Sequence, residues 1–279
     1  MSLKDVMGRT PVDRATLAAV IVLALVWMLP LLWVLALSFK PNQVLQLGTA
    51  AWWEAPFTWR NYRDIVATSQ LFRWIANSAV VALGQTVLVL ALSSLAGYAF
   101  ARLRFPGRRW LFAAVLAGLA LPQASYVAPL HRLFADWGLH NTHAALMLPG
   151  VAAPFGVFLM SQYFKAIPVE LEEAALLDNA SRWTVFWKVI LPLSLPAQAT
   201  LGIFTFLNAW NDYLWPVMSA TQPSMYTLSL GLASMQTNFA QSEGLGFLMA
   251  QAVFAAVPVL VLYAFFQRHI VAAVSGGVR

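Results

Sequence analysis

Trp74-Ile75-Ala76-Asn77-Ser78-Ala79-Val80-Val81-Ala82-Leu83-Gly84-Gln85-Thr86-Val87-Leu88-Val89-Leu90-Ala91-Leu92-Ser93-Ser94-Leu95-Ala96-Gly97-Tyr98-Ala99-Phe100-Ala101 runs for 28 residues without an Asp, Glu, Lys, Arg or His. A helix rises about 1.5 Å per residue, so roughly 20 apolar residues cross the ~30 Å hydrocarbon core of a bilayer. This stretch is long enough. In lipid its N–H and C=O groups meet no water, and the helix is the form that satisfies them within one segment. A barrel strand needs only about 10 residues of alternating polarity, so a continuous apolar run of this length excludes it.

Five more intervals share the property: Ala15 to Phe39, Trp110 to Leu130, Ala144 to Phe164, Val189 to Asn211 and Gly244 to Gln267. The composition agrees, with 60% of the 279 residues apolar and 10% charged, against about 25% charged in soluble domains. The reading is an all-α membrane protein with six transmembrane helices. The net charge of +6 is explained by topology. With a cytoplasmic N-terminus the inner segments carry Lys4, Arg9, Arg14, Arg102, Arg104, Arg108, Arg109, Lys165, Arg182, Lys188, Arg268 and Arg279, twelve basic residues. The outer segments carry five: Lys40, Arg60, Arg63, Arg73 and Arg132. Basic loops stay inside, so the N and C termini are placed in the cytoplasm and no nucleic-acid partner is implied.

The first apolar stretch follows a basic segment, but its 25 uncharged residues exceed the 7 to 15 or so of a secretory signal. It reads as an uncleaved span. After it, Trp52, Trp53, Phe57, Trp59 and Tyr62 form an aromatic outer segment suited to the headgroup level. On the second span Ser93, Gly97 and Ala101 recur every four residues, a small-residue ridge onto which another helix can pack. Pro122 and Pro129 are expected to kink the third span, since each removes a backbone donor.

Catalytic chemistry finds no footing. There is no Cys, which removes disulfides, thiolate metal sites and cysteine nucleophiles. None of Lys4, Lys40, Lys165 or Lys188 follows a glycine, so no phosphate-binding loop is present, and neither HExxH nor GxSxG occurs. His140 and His143 would need two further ligands to hold zinc. No carboxylate pair lies within a span to act as acid and base. The chain is expected to be neither an enzyme nor a metal or cofactor binder.

One segment between spans is both amphipathic and charge-dense: Ile167-Pro168-Val169-Glu170-Leu171-Glu172-Glu173-Ala174-Ala175-Leu176-Leu177-Asp178-Asn179-Ala180-Ser181-Arg182-Trp183-Thr184-Val185-Phe186-Trp187-Lys188-Val189-Ile190-Leu191-Pro192. Pro168 suits a first helical position, and the three glutamates complement the positive end of the helix dipole. Asn179 tolerates the left-handed conformation of a tight helix-ending turn. Ser181 can cap the next helix. The expectation is a short cytoplasmic helix, a turn, and a helix re-entering the bilayer at Pro192.

Glu173-Ala174-Ala175, Asp178-Asn179-Ala180, Phe186 and Ile190-Leu191-Pro192 at these spacings resemble the EAA loop of bacterial ABC importer permeases. Further likeness lies in Leu29-Pro30, Ser38-Phe39-Lys40-Pro41, Asn61-Tyr62, Asn77-Ser78, Gly97 through Arg102, Gly138 through Thr142, Trp210-Asn211 and Pro258. Together these are similar to the sugar-type branch. The resemblance implies a cytoplasmic EAA coupling helix, with Glu172, Glu173, Ala174, Ala175, Asp178, Asn179 and Ala180 as the coupling residues docked on an ATPase. It implies a homologous second permease subunit, an ATPase dimer that hydrolyses ATP with Mg, and an extracytoplasmic solute-binding protein. The location would be the bacterial inner membrane. Asn179 departs from the family's usual glycine.

For the solute pathway, Asn208, Trp210, Asn211 and Asp212 at the end of the fifth span, with Asn77 and Gln85 in the second, supply amides, a carboxylate and an indole that a hydroxyl-rich solute can meet. Residues 219 to 243, rich in Ser, Thr, Gln and Met, are a candidate docking region for the binding protein. The organisation is therefore a cytoplasmic segment 1–14 and a single transmembrane domain 15–279, with spans near 15–39, 74–101, 110–130, 144–164, 189–211 and 244–267 and a coupling loop at 165–188. The expected function is permease subunit for carbohydrate import. Glycerol-phosphate import is disfavoured because no basic residue lies within a span, and a secondary transporter because ion sites and inverted repeats are not evident.

Overall fold

The computed structural model describes residues 11–45, 56–68, 70–239 and 244–275. Among these every regular element is a helix. The principal helices are α1 (Pro11–Ser38), α2 (Arg60–Thr68), α3 (Leu71–Arg102), α4 (Arg108–Ala117), α5 (Gln123–Asp136), α6 (His143–Val151) and α7 (Pro154–Ala166). They continue as α8 (Glu170–Leu177), α9 (Arg182–Val185), α10 (Leu195–Asn211), α11 (Leu214–Ser219), α12 (Leu228–Phe239) and α13 (Leu245–Ser275). The chain divides into two compact units, Met1–Ser69 with Leu232–Val257, and Gln70–Gly231 with Pro258–Arg279. The aromatic expectation at Trp52 and Trp53, both termini, and residues 240–243 of the outer docking region lie outside the described residues.

In the first unit α1 presents apolar side chains around most of its circumference, Trp27 and Leu31 among the most exposed. A helix apolar on all sides belongs in lipid or against another chain. Its C-terminal end is fastened to α2, where the Asn61 side-chain amide donates to the carbonyls of Ser38 (2.8 Å) and Lys40 (2.9 Å). Phe39, Trp59 and Tyr62 form an aromatic cluster there, with Phe39 centroids 4.9 Å from each of the other two rings.

The second unit is built around α3, an unbroken helix of 32 residues. Lipid tails are as apolar as leucine, so helices in a bilayer associate by close packing rather than by hydrophobic expulsion, and small residues mark the contact. The ridge on α3 is used in this way. A Cβ on Gly97 would fall 2.7 Å from the Cβ of Met160, and one on Gly156 would fall 2.4 Å from the Ser93 hydroxyl. Ser93 meets Gly156 and Gly97 meets Met160, so residue numbers rise together along α3 and α7 and the two helices run parallel. Toward the α8 end, Tyr98, Phe164, Ile167, Val185, Phe186 and Ile190 close a buried core.

Over the apolar intervals 110–130, 144–164 and 189–211 the structure has bent helix pairs rather than single straight helices. The Arg108–Ala120 and Gln123–Asp136 segments meet at 101°, His143–Val151 and Pro154–Ala166 at 49°, and Arg182–Leu193 and Leu195–Asn211 at 74°. Pro122 marks the first break, as its missing donor predicts, whereas Pro129 stays inside α5. At the third break the chain widens to a π-helix over Phe186–Ile190. Pro192 has no N–H for the Lys188 carbonyl, and Leu191 N–H instead reaches Phe186 O. Beyond it, Leu191 O accepts from the Ser194 N–H (3.1 Å), the Ser194 hydroxyl (2.8 Å) and the Gln198 amide (2.8 Å), and the Gln198 amide also donates to Ser194 Oγ at 2.8 Å, so the bend is held by its own polar groups, as irregular backbone in lipid requires.

Candidate functional site

Two places on the second unit collect the sequence candidates. The first is a cavity of about 810 Å³ bounded by α3, α5, α6, α7, α10 and α11. Gln85, Asn208, Asn211 and Asp212 line it, brought together from α3 and the end of α10. Asn77 and Trp210 do not line it. The Asn77 amide donates to the carbonyls of Ser224 (2.9 Å) and Tyr226 (3.0 Å), and its oxygen faces His143 Nε2 at 3.1 Å. Trp210 is buried in parallel stacking on Phe206, and its carbonyl accepts from Ser229.

Gln85 reaches the cavity because residue 150 has no side chain: a Cβ there would lie 2.2 Å from Gln85 Nε2. Asp212 lies just past the last turn of α10. Burial pushes its carboxyl above the usual carboxylate range, opposed by the N–H groups of Trp215, Leu214 and Tyr213, which favour the charged form. It therefore also ties the start of α11. Asp212 carries the cavity's one formal charge, since no Lys, Arg or His is among the lining residues. The rest of the polar lining is Gln123, Tyr126, Thr205 and Tyr213, and Phe155 and Phe204 face each other edge to face at 6.4 Å. Sequence reasoning missed these four polar residues. Thr205 and Asn208 are spaced at three on one face of α10 with Asp212 four residues further on, just past its end, and Gln123 and Tyr126 follow the break at Pro122. Both signals were readable.

The second place is α8 and its turn. The helix begins at Glu170, two residues after Pro168, with Val169 as its N-terminal boundary. It ends as the sequence predicts: Asn179 is left-handed at φ 58, and Ala180 N–H closes onto Ala175 O at 3.1 Å. Ser181 Oγ then accepts from Thr184 N–H at 3.1 Å and caps α9. The seven candidate residues separate into two sets. Glu173, Ala174, Asp178 and Asn179 are exposed, beside Leu177, which is 84% exposed. Ala175 and Ala180 pack against the core, and Glu172 is buried. Arg102 at the end of α3 pairs with Glu172 at 2.5 Å and donates through its other nitrogen to Ile167 O.

His140 and His143 bond to their surroundings. His140 has its ring nitrogens 3.3 Å from Ser219 O and 3.1 Å from His131 O. Asn141, left-handed at φ 60, receives the N–H groups of Thr221 and Gln222 on its side-chain oxygen. This binds the α5–α6 turn to the segment after α11. The candidate docking region is partly helical, with Leu228 and Leu230 of α12 buried.

Residues 90–276, which include the cavity's α10 wall, α8 and the bent helix pairs, match the family described as binding-protein-dependent transport system inner membrane component. The chain belongs to this family. Among relatives of this inner membrane component, the diacetylchitobiose uptake system permease protein NgcG of Streptomyces coelicolor is 36% identical over 226 residues, 80% of this chain and 75% of that protein. The arabinooligosaccharides transport system permease protein AraQ of Halalkalibacterium halodurans is 35% identical over 246 residues, 87% and 88% of the two chains. The trehalose transport system permease protein SugB of Mycobacterium tuberculosis is 34% identical over 244 residues, again 87% and 88%. In fold, the inner membrane component matches a chain of a bacterial ABC transporter involved in the import of the acidic polysaccharide alginate. The TM-score is 0.75 at 21% identity, covering 94% of this chain and 98% of the other. Members of the family are transport components of the inner membrane, and the long apolar helices of this chain are able to span it.

Proposed function

We propose that the protein is a permease subunit of an ATP-driven importer, forming half of the translocation pathway for a carbohydrate delivered by an extracytoplasmic solute-binding protein. The relatives' printed solutes, diacetylchitobiose, arabinooligosaccharides and trehalose, support a carbohydrate. So does a cavity whose polar lining is amides, hydroxyls and the Asp212 carboxylate beside aromatic rings, with no Lys, Arg or His among the lining residues, a lining suited to a neutral polyol and unsuited to a phosphate ester. The finer arrangement belongs to the same reading: six spans in one domain over 15–279, a cytoplasmic segment 1–14, a coupling loop at 165–188, and partners comprising a second permease and an ATPase dimer that uses ATP and Mg. Parallel packing of α3 on α7 supports it, because the second and fourth spans of an alternating chain run the same way.

The observation that carries the coupling assignment is the shape of α8. It is a short helix held from below by buried residues, offering Glu173, Ala174, Leu177, Asp178 and Asn179 to a partner. A helix fixed at its base can transmit an ATPase movement to the spans on either side. The test is solute-stimulated ATP hydrolysis by the complex reconstituted with its binding protein against a carbohydrate panel. Asn179→Val forces a β-branched residue into a left-handed turn and is expected to lower the stimulation by about tenfold. Full stimulation in that variant would sink the coupling assignment, and no response of the wild type to any carbohydrate would sink the cargo.

A further inference from the structure

Arg102, Glu172 and Tyr98 form a polar cluster that neither the cavity nor the exposed face of α8 accounts for. Glu172 is buried and Arg102 mostly so, their side chains 8% and 13% exposed. Arg102 bridges two points of the loop, the Glu172 carboxylate on α8 and the Ile167 carbonyl at the end of α7. Tyr98, one turn earlier on α3, has its hydroxyl 3.5 Å from the same carboxylate, while its ring meets Phe164 of α7 and Phe186 of the π-helix at 6.2 Å and 5.1 Å. The last turn of α3 thus touches the helix before α8, α8 itself and the helix after it.

A buried ion pair is rarely the cheapest way to stabilise a fold, because well-packed apolar residues of similar volume often do as well or better. What the guanidinium adds is a bridge: one nitrogen meets the Glu172 carboxylate as an ion pair and another donates to Ile167 O, so a single side chain ties two points of the loop. The same helix carries Gln85 in the cavity wall, 17 residues or about 26 Å along the axis from Arg102. We infer that the Arg102–Glu172 pair, braced by Tyr98, is the joint that makes α8 and α3 move as one body, so that motion of the coupling helix reaches the cavity through α3. These are positioning residues, and the inference rests on the coupling role proposed above.

The test is the ratio of solute-stimulated to basal ATP hydrolysis per assembled complex, with assembly followed by co-purification of the partner chains. A purely structural role would lower the assembled yield and leave that ratio alone. Glu172→Gln is expected to lower the ratio by about tenfold. Arg102→Lys should fall between it and the wild type, since the ammonium keeps the charge but is a compact point that does not span the Glu172 carboxylate and Ile167 O as the guanidinium does. A wild-type ratio in Glu172→Gln overturns the inference. If that variant does not assemble, Arg102→Met with Glu172→Leu, which strands no charge, replaces it. Assembly of the double variant with a lowered ratio supports the joint, and a wild-type ratio or failure to assemble overturns it. Asn179→Val is measured beside these: if it uncouples while Glu172→Gln does not, the joint alone fails, and if neither uncouples the coupling helix itself is misassigned.

Discussion

Gly97 is a glycine because Met160 and Ser161 occupy the space a side chain would take: a Cβ would sit 2.7 Å from one and 3.0 Å from the backbone nitrogen of the other. Gly97→Val forces α3 and α7 apart, and overpacking of this kind costs about 1–3 kcal/mol. The expected outcome is a lower thermal midpoint of the detergent-solubilised protein, and an unchanged midpoint would show that the helices separate freely. Position 97 was legible in the sequence because the ridge of Ser93, Gly97 and Ala101 repeats at the helical period. Arg102 was not. In the sequence it is one more basic residue on the inner side, and its partner lies 70 positions away with no local signature. Asn77 is similar in kind: an amide within a span reads as a solute contact, yet all its bonds run to Ser224, Tyr226 and His143.

At the scale of elements, the turn after α8 was readable in full, since Asn179, Ser181 and the glutamates act on their own neighbours and chain chemistry decides the outcome. The broken spans were only half readable. Proline marks where a donor is missing, but whether the helix bends or is mended depends on side chains that arrive from the next turn. Gln198 mends the break near Ser194 through two bonds of 2.8 Å. Gln198→Leu removes both, and at a net loss of about 1 kcal/mol per hydrogen bond the two correspond to roughly thirtyfold faster amide exchange around residues 191–198. Exchange at the wild-type rate would mean that the bend is held elsewhere. No such mending is recorded at Pro129, which α5 absorbs without a break.

For the whole molecule, the absence of Cys makes topology directly measurable, because any single introduced cysteine is the sole thiol. Leu177→Cys is expected to react with a membrane-impermeant maleimide only in inverted vesicles and Trp59→Cys only in spheroplasts. Labelling of both from one side would contradict an odd number of crossings between them. This orientation rests on charge counting alone, whereas the lining of the cavity was hidden in the sequence because it comes from several helices whose bends the sequence only hints at. The helix α3 has no such break. Its 32 residues make a rod of about 48 Å, well beyond the ~30 Å of hydrocarbon. Held at one end and pivoted by about 10°, a rod of that length swings its other tip through about 8 Å. On the coupling role proposed for α8, an unbroken helix longer than the bilayer acts as a lever arm, and a small displacement at its α8 end becomes, at the far tip, the width of a sugar ring.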